Sequence, residues 1–90
     1  MKLLFFTADG CGPCRQMAPV IFELTDQDFF KKNYSLSSIN IDTDPETSVR
    51  WGVRAVPTFI ILDEEGGEVS RHVGVWPGSK MQEWMVDNLK

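Results

Sequence analysis

Two cysteines separated by two residues lie between a short apolar segment and a helical pattern, and this arrangement constrains the fold more than any other feature of the sequence. Lys2 to Thr7 is a continuous apolar and aromatic run, which is typical of a strand buried on both faces. From Cys11 onward apolar residues recur at helical spacing, so we predict a helix from Cys11 to about Phe30. A strand that leads directly into a helix is the first half of a β-α-β unit.

Three further strands and two shorter helices are predicted along the rest of the chain. Asp44, Pro45 and Glu46 form a helix start, in which a capping acid precedes a proline at the first helical position. Ser79 and Gln82 have the spacing of a capping box, which places the N-cap of the last helix at Ser79. The predicted strands are Tyr34 to Ile41, Thr58 to Leu62 and Glu68 to Val73.

The order of these elements, β-α-β-α-β-β-α, predicts an α/β fold with a mixed four-stranded sheet and helices on both faces. The first two strands should be parallel because a helix joins them, and the last two should form an antiparallel hairpin. A chain of 90 residues is long enough for one core, so we expect a single domain over residues 1–90.

Composition and charge exclude several classes of function. The chain has 13 acidic and 9 scattered basic residues, a formal charge of -4, so we expect no nucleic-acid partner. No apolar run approaches the ~20 residues of a membrane span, and the apolar run after Lys2 is shorter than the ~7–15 residues of a signal peptide. We therefore expect a cytoplasmic protein without a membrane partner, and a monomer. Two cysteines and one histidine cannot complete a four-ligand zinc site, so we expect neither metal nor cofactor.

The motif Cys11-Gly12-Pro13-Cys14 opens the first helix, where a thiolate is stabilised by free amide donors and by the helix dipole. Cys11 can be exposed at the helix start, whereas Cys14 lies one turn further on, on the apolar face. Gly12 leaves the approach to Cys11 open, and Pro13 fits the first turn because its missing N–H costs nothing there. The pattern favours disulfide exchange. A half zinc site shared across a dimer and two inert core thiols are the alternatives.

These residues resemble the active-site segment of the thioredoxin family, and further matches extend the resemblance over essentially the whole chain. The combination of Cys-Gly-Pro-Cys with a later Val-Pro-Thr is specific. The matching segments are Phe6 to Pro19, Asn40 to Asp42, Trp51 to Thr58, Gly66 to Val69, and Val73 to Val75.

The resemblance implies the thioredoxin-like fold and roles for individual residues. Cys11 would be the nucleophile that attacks a substrate disulfide, and Cys14 would resolve the mixed disulfide. Pro57 would follow a cis peptide bond beside the cysteines, and the backbone of Val56 would pair with the substrate chain. The expected substrate-binding residues are Gly12, Pro13, Val56, Pro57, Gly74, Val75 and Trp76, the last because it adjoins the groove loop. Simple surface cover is the alternative role for Trp76.

The chain also departs from the family pattern. Family members usually have a further strand and helix before the first strand found here, so Tyr34 to Ile41 is expected to be an exposed sheet edge. Thr7 and Gly10 stand where the family has its two active-site tryptophans.

The group that usually transfers a proton to or from the resolving thiol is missing. Phe5 stands at the position of the family's buried aspartate, and Ser38 at that of its lysine partner. We hypothesise that water, or Asp9 through water, takes the place of this acid.

Two further side chains are interpreted as structural. His72 alternates with Val69 and Val73 along the last strand, which predicts that it lies on an exposed strand face. Trp84 lies at core spacing on the last helix and is predicted to pack.

We therefore predict a thioredoxin-like protein-disulfide reductase without a bound cofactor. Its partners would be disulfide-containing protein substrates and an electron donor, either a thioredoxin reductase or glutathione. Two alternatives are a glutathione-dependent, glutaredoxin-like reductase and a non-catalytic binding or accessory module with the same fold.

Overall fold

The computed structural model describes residues 1–90 and has one mixed four-stranded sheet with four helices, as predicted for the α/β class. No helix combines the length and the apolar character needed to cross a membrane. The strands are β1 Lys2–Thr7, β2 Ser35–Asn40, β3 Thr58–Leu62 and β4 Glu68–Val73. The helices are α1 Gly12–Thr25, α2 Asp28–Asn33, α3 Pro45–Arg50 and α4 Gly78–Asp87.

The strand order is β2-β1-β3-β4, so β1 and β3 lie in the middle of the sheet. β1 pairs in parallel with β2, with Lys2 opposite Ser35, because α1 and α2 return the chain to the same end of the sheet. β1 and β3 are antiparallel, and β3 and β4 form the predicted antiparallel hairpin. All five residues of β3 are buried, and all but Thr58 are apolar.

Each face of the sheet has its own apolar cluster, because successive side chains of a strand point to opposite faces. Leu3 and Phe5 of β1 lie on the face that packs against α1 and α4, whereas Leu4 and Phe6 lie on the other face. The helices contribute Met17, Ile21, Leu24, Met81 and Met85 to the first cluster, and Ile39, Ile41, Trp51, Val53 and Val56 pack against the second.

The single helix predicted from Cys11 to about Phe30 is wrong, because two helices occupy this segment. α1 ends at Thr25, whose hydroxyl donates to a carbonyl one turn back at 2.7 Å. Gln27 then has an extended backbone, with φ -83° and ψ 150°, and precedes α2. Threonine favours a helix weakly, and the change of direction allows Phe30 to stack on Tyr34 in the core at 5.6 Å.

The start of α3 agrees with the prediction. The Asp44 carboxylate accepts the backbone N–H of Thr47 at 3.2 Å, and Pro45 is the first helical residue. Gly52 has a φ of +66° just after the helix, as expected of a residue that ends it.

The capping box predicted at Ser79 and Gln82 is wrong. α4 begins at Gly78, one residue earlier, and has no side-chain cap. The carbonyl of Pro77 already accepts two N–H groups of the first turn, both at 3.0 Å. Ser79 therefore lies inside the helix, where its hydroxyl cannot cap the helix end.

β2 lies at an edge of the sheet, as predicted, but it is shorter than Tyr34 to Ile41. The N–H of Tyr34 donates to the last turn of α2 and not to β1. Its hydroxyl donates to the carbonyl of Met85 at 2.6 Å, and burial raises the pKa of Tyr34 to about 12. Tyr34 therefore anchors α4 instead of extending the sheet.

Candidate active site

Cys11 and Cys14 lie where β1 leads into α1. The turn between the strand and the helix ends at Gly10, whose φ of +70° is a conformation that favours glycine. Cys11 is the N-cap residue of α1 and is partly exposed, whereas Cys14 is only 3% exposed and faces the core. The sequence correctly predicted this difference in exposure.

The two cysteines form a disulfide, with their Cα atoms 5.3 Å apart. The backbone N–H of Cys14 donates to Sγ of Cys11 at 3.2 Å. α1 is 14 residues long and has no acidic residue in its first turn. Both the N–H and the helix dipole therefore favour negative charge on the sulfur of Cys11 once the disulfide is reduced.

A second segment approaches the disulfide from the sheet. The carbonyl oxygen of Val56 lies 3.9 Å from Sγ of Cys11, and the Val56–Pro57 peptide bond is cis, as predicted. The N–H of Gly74 donates to the carbonyl of Pro57 at 2.9 Å. These contacts bring the segment before β3 and the loop after β4 to the same side of the cysteines.

The other predicted groove residues are placed less directly. Gly12 and Pro13 are exposed beside Cys11, in the first turn of α1. Val75 is 41% exposed and Trp76 is half-buried, and both follow Gly74 in the loop that leads to α4. They therefore follow the hydrogen-bonded part of the loop, and neither forms a hydrogen bond with a sulfur.

Phe5 and Asp9, the two residues considered for proton transfer with Cys14, lie in different surroundings. Phe5 is buried and stacks on Phe59, so the family's aspartate position has an aromatic ring in this chain. Asp9 is exposed; its carboxylate accepts from the side chain of Asn40 at 3.0 Å, and its N–H donates to Asp42 at 2.8 Å. None of its hydrogen bonds goes to a cysteine.

The prediction that His72 lies on an exposed strand face is wrong. Its neighbour in the sheet is Phe59, which belongs to the cluster under α1 and α4, so His72 points to that same face. The valines that alternate with it, Val69 and Val73, are the exposed ones, at 44% and 52%. The predicted alternation of side chains is correct, but the side of the sheet that each set faces is not. Trp76 and Trp84, which pack on His72, are the sequence signal that indicates the buried side.

Trp84 packs as predicted. It is half-buried against the cluster under α4, and its indole N–H donates to the hydroxyl of Ser70 at 2.9 Å. No group of three or more His, Cys, Asp or Glu side chains is arranged to hold a metal ion.

Comparison with known proteins gives the same likeness by sequence and by structure. A family model described as Thioredoxin matches residues 1–87. A thioredoxin from Rhodospirillum rubrum is 38% identical over 80 residues, which cover 89% of this chain and 74% of that protein. A thioredoxin from Bacillus subtilis strain 168 is 38% identical over 84 residues, covering 93% of this chain and 78% of that protein.

The structural likeness is equally extensive. A mutant thioredoxin from Halobacterium salinarum NRC-1 matches with a TM-score of 0.86 and 27% identity, over 99% of this chain and 74% of that one. The thioredoxin of Fasciola hepatica matches with a TM-score of 0.85 and 28% identity, over 97% and 79%. The likeness therefore includes all four strands and all four helices described above.

Proposed function

Because this chain belongs to the thioredoxin family, we propose that it reduces protein disulfides, with Cys11 as the attacking and Cys14 as the resolving thiol. The chain is a thiol–disulfide oxidoreductase. The observation that most supports the two roles is the difference between the sulfurs. Cys11 is partly exposed and accepts an N–H at the start of α1, whereas Cys14 is enclosed.

The reaction proceeds in two exchanges. The thiolate of Cys11 attacks one sulfur of the substrate disulfide; the substrate S–S bond breaks, a mixed disulfide forms, and one substrate thiolate leaves. The thiolate of Cys14 then attacks Sγ of Cys11, which forms the intramolecular disulfide and releases the second substrate thiol. Two electrons pass to the substrate, and its two sulfurs take up two protons.

The proposed groove consists of Gly12, Pro13, Val56, Pro57, Gly74, Val75 and Trp76. Free backbone groups support this assignment: neither the N–H nor the carbonyl of Val56 has a backbone partner in the chain, and the same is true of Val75. Unpaired main-chain groups beside a reactive sulfur can pair with an extended substrate strand. The exposed or half-exposed valine side chains at both positions add apolar contact area.

Proteins of this family work with disulfide substrates and a thioredoxin reductase. We propose that such a reductase, rather than glutathione, returns the two electrons to this protein. We also propose a monomeric, single-domain protein, residues 1–90, in the cytoplasm, where thiols are kept reduced. Measuring turnover with a thioredoxin reductase and NADPH against turnover with glutathione and its reductase distinguishes the two donors.

The roles of the two sulfurs are tested by trapping. A Cys14→Ser variant, incubated with a protein disulfide, should accumulate a covalent adduct at Cys11 that dithiothreitol releases, because the resolving thiol is absent. Cys11→Ser is the matched control and should form no such adduct, since Cys14 is enclosed. Mass spectrometry of the adduct identifies the cysteine. An adduct on Cys14 in the control, or none in the first variant together with no disulfide reduction by the unmodified protein, contradicts the proposal.

A further inference from the structure

His72 lies inside a stack of aromatic rings. Its ring is nearly parallel to that of Phe59, with the centroids 6.4 Å apart, and to that of Trp76, with the centroids only 3.3 Å apart. Trp84 lies edge-on to both, at 6.4 Å from His72 and 5.8 Å from Trp76. The imidazole is therefore enclosed by rings from β3, from the loop after β4 and from α4, and it cannot leave without freeing one face of Trp76.

The imidazole is suited to this place only in its neutral form. Nε2 is buried and has no hydrogen-bond partner, so a proton added there would have no acceptor. Burial lowers the pKa of His72 below its ordinary value of 6.5, a hydrogen bond with the Gly74 backbone acts in the opposite direction, and the charge of Lys80 lowers it further. The three rings that stack on His72 from β3, from the loop and from α4 carry no charge. The charge that acts on it is that of Lys80, whose Nζ lies 5.5 Å from the centroid of the Trp76 ring.

The same stack is connected to the active site through the chain. Gly74, two residues after His72, has a φ of +105° and donates its N–H to the carbonyl of Pro57 at 2.9 Å. Val56, before this proline, has its carbonyl oxygen 3.9 Å from Sγ of Cys11. Trp76 follows the loop by two residues. The loop from Gly74 to Trp76 is thus held at one end by the segment beside the sulfur and at the other end by the aromatic stack. Displacement of Trp76 therefore moves this loop.

We propose that His72 is a positioning residue for substrate binding: its neutral ring holds Trp76 and the Gly74–Val75 loop in place, and its protonation releases them. The proposal rests on the assignment of Trp76 and this loop to the substrate groove. A protonated imidazole regains hydration only by turning its Nε2 edge out of the stack, and Trp76 then loses the ring beneath it. In this proposal His72 acts through Trp76 and the loop and not on the reacting sulfurs.

The pH dependence follows from the direction of the shift. Well above the ordinary value of 6.5 the ring is neutral and the stack is complete. Because the pKa in the folded protein lies below that value, release of Trp76 begins only at more acidic pH. The KM for a protein substrate should therefore rise towards acid pH, while kcat should keep the pH dependence that the cysteines give it.

The kinetic test compares the protein with His72→Phe, which keeps a ring in the stack and cannot be protonated. KM and kcat for a model protein disulfide are measured between about pH 5 and pH 8. The ratio of the KM of the unmodified protein to that of the variant should be near one at the alkaline end and should reach about fivefold at the acid end. The cysteines titrate in both proteins and cancel in this ratio. A ratio that does not change with pH overturns the proposal.

A second measurement does not need enzymatic activity. The tryptophan emission maximum should shift to longer wavelength towards acid pH in the unmodified oxidised protein, because a released Trp76 becomes hydrated. The same titration should be flat in His72→Phe and in His72→Gln, a second variant that cannot be protonated. A flat titration in the unmodified protein overturns the proposed release. If the titration is present but the KM ratio is constant, release does not reach the groove and the positioning role is wrong. The adduct at Cys11 tests the proposed function separately.

Discussion

At the scale of single residues, Phe5 stands where the resemblance to the family implies a buried aspartate. Its side chain is 3% exposed and stacks on Phe59, the neighbouring residue in the sheet, at 5.0 Å. An apolar ring surrounded by apolar neighbours is stabilised by burial, whereas a carboxylate there would lose its hydration without gaining a partner. This strand position is thus part of the apolar core, and the proposed resolution by Cys14 would have to proceed without a buried acid there.

Restoring the acid should therefore destabilise the protein. We expect Phe5→Asp to lower the free energy of unfolding by about 4 kcal/mol at neutral pH, against about 1 kcal/mol for the control Phe5→Leu. Burial raises the pKa of the introduced carboxyl, so the unfolded chain ionises first and stability is lost as the pH rises. Urea unfolding at two pH values measures both effects. Equal stability of the two variants would show that the site can hydrate a carboxylate.

At the scale of elements, α3 is short, lies next to β2 and leads into the segment beside the active site. Its six residues cannot form a stable helix alone, so the ends and the contacts decide whether it exists. Ser48 is buried, its hydroxyl donates to the Pro45 carbonyl at 2.7 Å, and its own carbonyl accepts from Val53 at 2.8 Å. The carbonyl of Trp51, at the end of the helix, accepts from Arg71 of β4 at 2.8 Å.

The cap at Asp44 should accordingly contribute measurably to stability. Asp44 accepts both the N–H and the hydroxyl of Thr47. Asp44→Ala removes both acceptors and should reduce the free energy of unfolding by about 1 kcal/mol, whereas Asp44→Asn keeps a capping oxygen and should cost only about a few tenths. Thermal or urea unfolding of the three proteins gives the comparison. If the alanine and asparagine variants lose the same amount, capping is not what the aspartate contributes.

At the scale of the whole molecule, the sheet exposes β2 along one side, and the net charge bears on whether two copies pair there. β2 is only six residues long, and several of its residues have small hydroxyl side chains. Lys31 and Lys32 lie just before it at the end of α2. The formal charge of -4 makes two copies repel each other, most strongly at low ionic strength.

We therefore expect a monomer of 10.2 kDa in solution. Light scattering coupled to gel filtration should give this mass at low salt, where the repulsion is strongest. It should also do so when added salt screens the net charge, because β2 is short and has small polar side chains that offer little apolar area for pairing. As a control, Ser37→Lys adds a charge in the middle of the edge strand and should leave the mass unchanged. The expectation is wrong if the unmodified protein has twice this mass. If Ser37→Lys then has the mass of the monomer, β2 is the dimer interface.

Most of the fold follows from local signals in the sequence. β1, β3 and β4 have the predicted bounds, because each is an apolar or alternating run between glycine, proline or acidic turn residues. The start of α3 and the unequal exposure of Cys11 and Cys14 also follow from local rules, since caps and positions within a helical turn depend only on nearby residues. The sequence by itself thus determined the bounds of three of the four strands and the redox motif.

The tertiary structure decided what depends on contacts between distant segments. Alternation along β4 shows that His72 and Val73 point to opposite faces, but only the packing of α4 determines which face is covered. The break after Thr25 depends on the place that Phe30 takes in the core, and the start of α4 depends on the approach of the chain through Pro77. A period of two residues in a strand, or of 3.6 in a helix, shows which side chains share a face. Which face is buried depends on the other elements that pack against it.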